Sequence, residues 1–170
     1  MGEPLKPAVA GGAPQGAAPL GANDEKSAAA TVREMFTAIA PRYDLLNDLL
    51  SFRIEHRWWR RTARAFTPIL RRPQAKVLDL CCGTGELTLA LRRQAGSQQP
   101  SIVGADFSHA MLERAHRKFS GRNLAPIEAD ALQLPFPDAS LDLVVSAFGF
   151  RNLANYETGL REMLRVLRAE

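Results

Sequence analysis

An α/β domain built on a parallel sheet is what this sequence predicts, and three observations predict it. From Lys76 onward, short apolar runs alternate with amphipathic segments at helical spacing. A glycine-rich turn, Asp79-Leu80-Cys81-Cys82-Gly83-Thr84-Gly85, joins the first run to the first of those helices. Carboxylates then recur at the ends of successive runs, at Asp79, Asp106 and Asp130. Such alternation implies parallel strands with right-handed crossovers.

The elements follow in chain order. The first thirty of the 170 residues are dominated by Ala, Gly and Pro, without apolar periodicity or an aromatic residue. They cannot bury enough surface to offset their ordering entropy, so residues 1–30 are expected to form a disordered tail. The tail lacks the basic start and continuous apolar core of a secretory signal. Val32, Met35, Phe36 and Ile39 share a helical face that Pro41 ends. Leu45, Leu46, Leu49 and Leu50 make a second short amphipathic stretch, and a third helix is expected from His56 to Phe66, with Trp58 and Trp59 among arginines. Pro68 and Pro73 then break the chain. Residues 31–72 are accordingly read as a helical cap and residues 73–170 as the main domain.

In that domain, Lys76 to Leu80 is the first strand, followed by a helix from Glu86 to Gln94. Ser101 to Asp106 is the second strand; Ser108 can cap the next helix, which turns Met111, Leu112, Ala115 and Phe119 to one face. A third strand is expected around Ala125 to Ala129 and a fourth over Leu141 to Ala147. A final helix over Tyr156 to Leu167 would turn Leu160, Met163, Leu164 and Leu167 inward. There is no internal repeat. Only four strands precede Glu170, so one sheet edge and one face are expected to lack cover, as in a fragment.

Composition narrows the function classes. The net charge of +4 comes largely from arginines between Arg53 and Arg72. Nucleic acid and a membrane surface are two readings of that cluster; a solvated helix face is the simpler third, and no nucleic-acid partner is expected. No stretch approaches the roughly 18 apolar residues of a membrane span, so a cytoplasmic protein is expected. Cys81 and Cys82 are adjacent, rarely bridge at that spacing, and lack companions for a metal site; they read as reduced thiols. No metal is expected.

The turn after Leu80 points to the cofactor. Gly83 and Gly85 let the backbone approach a ligand and turn sharply into a helix. A dinucleotide site would want a third glycine three residues further on, under a pyrophosphate, and that position is Thr88. S-adenosylmethionine carries no phosphate, and the turn need receive only its amino-acid part and ribose. Asp79 suits the cofactor's ammonium, directly or through water. Asp106 stands 21 residues after Gly85 and can accept both ribose hydroxyls. Asp130, with Ala131, follows the third strand where the adenine edge should lie; alone, Asp130 reads equally as a turn residue. The set specifies a class I, Rossmann-like S-adenosylmethionine-dependent methyltransferase fold.

A longer pattern narrows this further. Phe36 to Ser51, Asp79 to Thr88, Ala131 to Asp138, and Phe148-Gly149-Phe150-Arg151-Asn152 are similar to the motifs of the ubiquinone/menaquinone biosynthesis C-methyltransferase family. The resemblance spans roughly Val32 to Arg168. It implies that Thr84, Asp106, Asp130 and Ala131 contact S-adenosylmethionine, and that Tyr43, Arg151 and Asn152 lie near the methyl acceptor, a lipid quinol. The chain departs from the pattern in three places. Ala147 stands where the family commonly has Ser, with Ser146 one earlier, which leaves that cofactor contact open. His56 and Trp58 are shifted by one residue. The family continues past Arg165-Val166-Leu167-Arg168 with a glycine turn and more strands.

The implied reaction is C-methylation of a quinol ring, with Arg151 stabilising the developing phenolate and Asn152 and Tyr43 orienting ring oxygens. Arg151-Asn152 also reads as a strand-end arginine with a helix cap. Phe36, Leu45, Leu49 and Leu50 could face an isoprenoid tail or simply pack a core. The arginines with Trp58 and Trp59 suit peripheral contact with the inner face of a membrane. A methyltransferase of another small acceptor and a non-catalytic cofactor-binding fragment are the rival readings. Sequence leaves open the ring, the tail length and whether the chain forms a homo-oligomer.

Overall fold

The structure, a computed structural model, describes residues 15–43 and 54–169. The expectations for residues 1–14, for Asp44 and for Leu45 to Ser51 lie outside those residues. Four strands form one sheet: β1 (Lys76–Leu80), β2 (Ser101–Asp106), β3 (Leu124–Glu128) and β4 (Leu143–Val145). All pairings are parallel, in the order β3-β2-β1-β4. The chain runs outward from β1 through β2 to β3, then returns to lay β4 on the far side of β1. That reversal opens a crevice at the carboxyl ends of β1 and β4.

Helices cover both faces. In chain order they are α1 (Glu25–Ile39), α2 (Ile54–Ala65), α3 (Thr67–Leu70), α4 (Glu86–Ala95), α5 (His109–Phe119) and α6 (Tyr156–Val166). The period of two along β1 sends Val77 and Asp79 to one face and Leu78 and Leu80 to the other. Val77 joins Leu70, Leu87, Leu91 and Ile102 in the core under α2–α4. Leu78 and Leu80 join Leu134, Leu141, Leu153 and Val166 on the α6 side. Each fully buried leucine contributes roughly 2 kcal/mol.

Beyond shifts of a residue or two at element ends, four features differ from expectation. α1 starts at Glu25, inside the expected tail, because Asp24 and Ser27 form a capping box: Ser27 N donates to Asp24 Oδ1 at 2.7 Å, and Asp24 N donates to Ser27 Oγ at 3.1 Å. The alanines that follow are the strongest helix formers, and Ala28 is wholly buried. β4 pairs over only three residues, because Leu141 bridges instead to Leu167 beyond α6. Ser108 holds the N-cap position of α5 but does not cap with its hydroxyl, which is buried without a partner; its amide donates to Asp106 Oδ1 at 2.9 Å.

The fourth concerns α6. Leu160 and Leu164, expected inward, are 50% and 71% exposed, while Gly159 and Val166 are buried. Gly159 wins because a side chain there would meet Leu153 Cδ2 at 2.3 Å, so the helix can seat closely only on its glycine. Glu162 and Arg165 extend the same inward side and tie down the Ala131–Asp138 loop. Leu134 N donates to Glu162 at 2.7 Å, and Arg165 donates to the carbonyls of Phe136 and Leu134 at 2.8 and 3.0 Å.

Candidate functional site

A cavity of about 770 Å³ opens at the carboxyl ends of β1, β2 and β4. Most of the residues read from sequence as a site line it: Asp79, Gly83, Thr84 and Asp106 from the first two strand ends, Asp130 and Ala131 after β3, and Ala147, Arg151 and Asn152 after β4. Tyr43, at the end of the 3₁₀ turn that follows α1, faces the same space from the other side. Gly85 does not line the cavity. It lies behind the turn with a left-handed φ of 87°, its α-carbon against the Phe119 ring.

The turn is tied to both strand ends. Gly83 N donates to Asp106 Oδ2 at 2.8 Å, so the two oxygens of Asp106 hold the turn and the start of α5 in fixed relation. Thr88, one turn into α4, donates from its hydroxyl to Asp79 Oδ2 at 2.6 Å. The residue standing in place of a third glycine therefore serves the carboxylate in front of it. Asp79 and Asp106 are 1% and 7% exposed, and neither has a cationic partner among the described residues. Burial pushes the Asp79 carboxyl up to about 7; the Thr88 hydroxyl and amide oppose this, and the charge of Asp106 adds to it. Burial raises Asp106 as well, against hydrogen bonds from the amides of Ser108, Gly83 and Phe107.

The cysteines take no part in ionic chemistry here. Both are free, and burial pushes Cys81 up to about 12 and Cys82 well above its ordinary value. Protonated thiols at neutral pH are poor nucleophiles and poor ligands. Cys81 is shaped by contact: it adopts φ 57°, and a side chain at Gly149 would approach its Cβ to 2.2 Å. Asp130 occupies a turn at the cavity edge. It lines the cavity and also receives Leu132 N at 2.9 Å in a local turn.

Structure adds residues that sequence reading passed over. Phe107, immediately after Asp106, lines the cavity, with the Arg33 guanidinium 5.3 Å above its ring. Its signal was position: the residue after a strand-end acid must enter the loop at the ligand edge. Of the aromatic residues already singled out in the sequence, Phe148 lines the cavity, 5.9 Å from Trp58, and Phe36 meets Tyr43 edge-on at 6.2 Å. Glu86, at the head of α4, binds Lys118 at 2.7 Å, and Lys118 reaches Thr84 at 3.1 Å. The amino-terminal segment braces the chain after Asn152. Ala17 N donates to Leu153 O at 2.7 Å, and Asn155 Nδ2 donates to Glu25 at 2.7 Å, either side of the chain that leads from Arg151 and Asn152 into α6.

Such an arrangement can hold a cationic, nucleoside-bearing ligand on buried carboxylates and an aromatic ring on the apolar, Tyr43–Arg151 side. Among the described residues no group of side chains could hold a metal ion, and no helix is long and apolar enough to cross a membrane.

Comparison with known proteins bears on this geometry. The profile of the ubiE/COQ5 methyltransferase family matches residues 22–170. The chain is 51% identical over 135 residues to the demethylmenaquinone methyltransferase of Thermus thermophilus, covering 78% of this chain and 59% of that protein. It is 48% identical over 151 residues to the demethylmenaquinone methyltransferase of Deinococcus radiodurans, covering 88% and 60%. The chain thus spans about three fifths of the length of these curated relatives. Among solved structures, a SAM dependent methyltransferase from Aquifex aeolicus aligns with a TM-score of 0.51 at 25% identity, covering 55% of this chain and 51% of that one.

Proposed function

The chain belongs to the ubiE/COQ5 methyltransferase family, and on that premise we propose that it binds S-adenosylmethionine and methylates a ring carbon of a polyprenyl quinol. One observation carries the reading: a single cavity joins the buried carboxylates Asp79 and Asp106, which have no cationic partner among the described residues, to Tyr43, Arg151 and Asn152. When bound, S-adenosylmethionine supplies an electrophilic methyl group and the positive charge that those carboxylates lack. Asp79 accepts from the cofactor's ammonium, Asp106 from its ribose hydroxyls, and Gly83, beside which a Cβ would meet nothing within 4 Å, leaves room along the turn. Asp130 and Ala131 bound the adenine.

The acceptor ring lies between Tyr43 and Arg151. Loss of a hydroxyl proton to water makes the ring electron-rich, and Arg151, always protonated, stabilises the phenolate without acting as its base. Once the ring carbon has taken the methyl group, its own proton passes to water and the ring is aromatic again. Asn152 and Tyr43 orient the ring oxygens, so that the ring carbon meets the methyl group in line; orientation supplies much of the barrier reduction. Demethylmenaquinol is the favoured acceptor, since both bacterial relatives carry that substrate in their names; 2-methoxy-6-polyprenyl benzoquinol is the second. Incubating the chain with radiolabelled cofactor and demethylmenaquinol tests the proposal. Binding with no transfer would favour a non-catalytic cofactor-binding role instead.

Arg151→Ala is expected to lower methyl transfer about a hundredfold, the cost of losing one donor to a developing oxyanion. Affinity for S-adenosylhomocysteine should stay within about threefold, because Arg151 serves the acceptor. Unchanged turnover would sink this role.

A lipid acceptor also calls for a lipid surface. Trp58 and Phe148, 53% and 44% exposed, stand at the cavity wall, and exposed arginines flank Trp58 on α2. That combination suits peripheral contact with anionic lipid. Flotation with anionic vesicles, lost with neutral ones, is the expected result; absence from both would remove the membrane from the proposal.

A further inference from the structure

Thr88 is wholly buried on the first turn of α4, facing β1. Its hydroxyl is committed to Asp79 Oδ2 at 2.6 Å. A Cβ at Gly104, paired beside Asp79 in β2, would lie 3.1 Å from Thr88 Oγ1 and 3.0 Å from Cys82 Sγ. A side chain at that point would crowd the hydroxyl that reaches the carboxylate. A free carboxyl can rotate about its last bond and take up a proton when buried without a cation. This one is held at Oδ2 by the Thr88 hydroxyl, and the Thr88 amide acts on the same carboxylate.

We propose that Thr88 is a positioning residue for the cofactor's ammonium, acting through Asp79 by orienting its carboxylate and holding it ionised. The inference rests on the cofactor reading above. The sign of its effect is set by the chemistry. The hydroxyl hydrogen bond favours the charged carboxylate, so its removal raises the pH at which Asp79 gives up its proton. The ammonium needs the ionised form. Below that pH, affinity falls about tenfold per unit, since a proton must leave for each ligand bound. Asp106 from β2, Cys81 and Cys82 from the turn and Asp130 after β3 act on the same space, but they are common to every Thr88 variant.

The test is calorimetric titration of the chain with S-adenosylhomocysteine from pH 5.5 to about 8, where the ligand's amino group remains largely charged. Wild type should show a break near pH 7. In Thr88→Val the break should move up by about one pH unit, with affinity near pH 6.5 about tenfold lower, the size expected for one hydrogen bond to a charged group. Thr88→Ser should match wild type. Thr88→Cys, with the shape of Ser but a weak donor, should match Val and decides the matter if circular dichroism shows Val unfolded. Val and Cys profiles superimposing on wild type would overturn the inference, as would a Ser profile as shifted as theirs. Failure of wild type to bind at any pH would overturn the cofactor reading itself, a result distinguishable from an unshifted variant.

Discussion

Replacing Asp106 by Ala is expected to weaken cofactor binding at least about a hundredfold, the loss of two hydrogen bonds to a charged acceptor at about 1.5–3 kcal/mol each. The structure adds a second cost. Asp106 receives Gly83 N at 2.8 Å and Ser108 N at 2.9 Å, so its carboxylate joins the glycine turn to the head of α5. Without it, two amides beside the cavity lose their acceptor and the turn loses its anchor to β2. Asp106→Asn separates charge from shape. It retains one oxygen for Ser108 and turns an amide donor toward either Gly83 N or the ribose, so it too should bind poorly, with a smaller loss of stability than the Ala variant. Calorimetry with S-adenosylhomocysteine, paired with urea unfolding, distinguishes the two costs. Binding by both variants within about threefold of wild type would show that Asp106 has only a structural role.

Gly85→Ala should produce the largest loss of stability from any single added methyl group in the turn. Gly85 sits at φ 87°, where a side chain is strained, and the new Cβ would lie 2.4 Å from Phe119 Cε1 and 2.6 Å from Cζ. Phe119 is 2% exposed and packed with Leu89 and Ala115, so the ring has little space in which to yield. Left-handed strain of about 1–2 kcal/mol and overpacking of about 1–3 kcal/mol together predict a loss of roughly 2–5 kcal/mol in urea unfolding. Gly83→Ala is the control. Its φ of 56° is also left-handed, but a Cβ there meets nothing within 4 Å, so only the conformational part applies. Cys81 shows that this turn accepts a side chain at φ 57° where space allows. Equal losses for the two alanine variants would refute the clash with Phe119.

Asp106 and Gly85 both stand out in the sequence, as a strand-end acid and a turn glycine, though for different reasons from those the structure supplies. The apolar run Lys76–Leu80 and the run Ser101–Asp106 became strands with the expected bounds, since strand period and the chemistry of the flanking turn are local. The parallel sheet followed from alternation with helices. Other features were invisible locally. On α6, the stripe through Gly159, Met163 and Val166 and the stripe through Leu160 and Leu164 both fit helical spacing. Hydrophobicity favours the second; Leu153, lying against Gly159, chose the first. The start of α1 was hidden because Ala-rich sequence reads as disorder unless the Asp24–Ser27 box before it is weighed.

What the sequence by itself determined was the order of strands and helices, the position of the turn at Asp79–Gly85, and the placing of acids at strand ends. These depend on period and backbone preference among near neighbours in the chain. Only the tertiary structure decided what each acid touches. Asp79 is held by Thr88 from the next helix, Asp106 by the turn and by Ser108, and Tyr43 and Arg151 line one cavity. The reason is physical. A carboxylate's partner, burial and proton affinity depend on atoms brought close by folding, and spacing along the chain does not encode those distances.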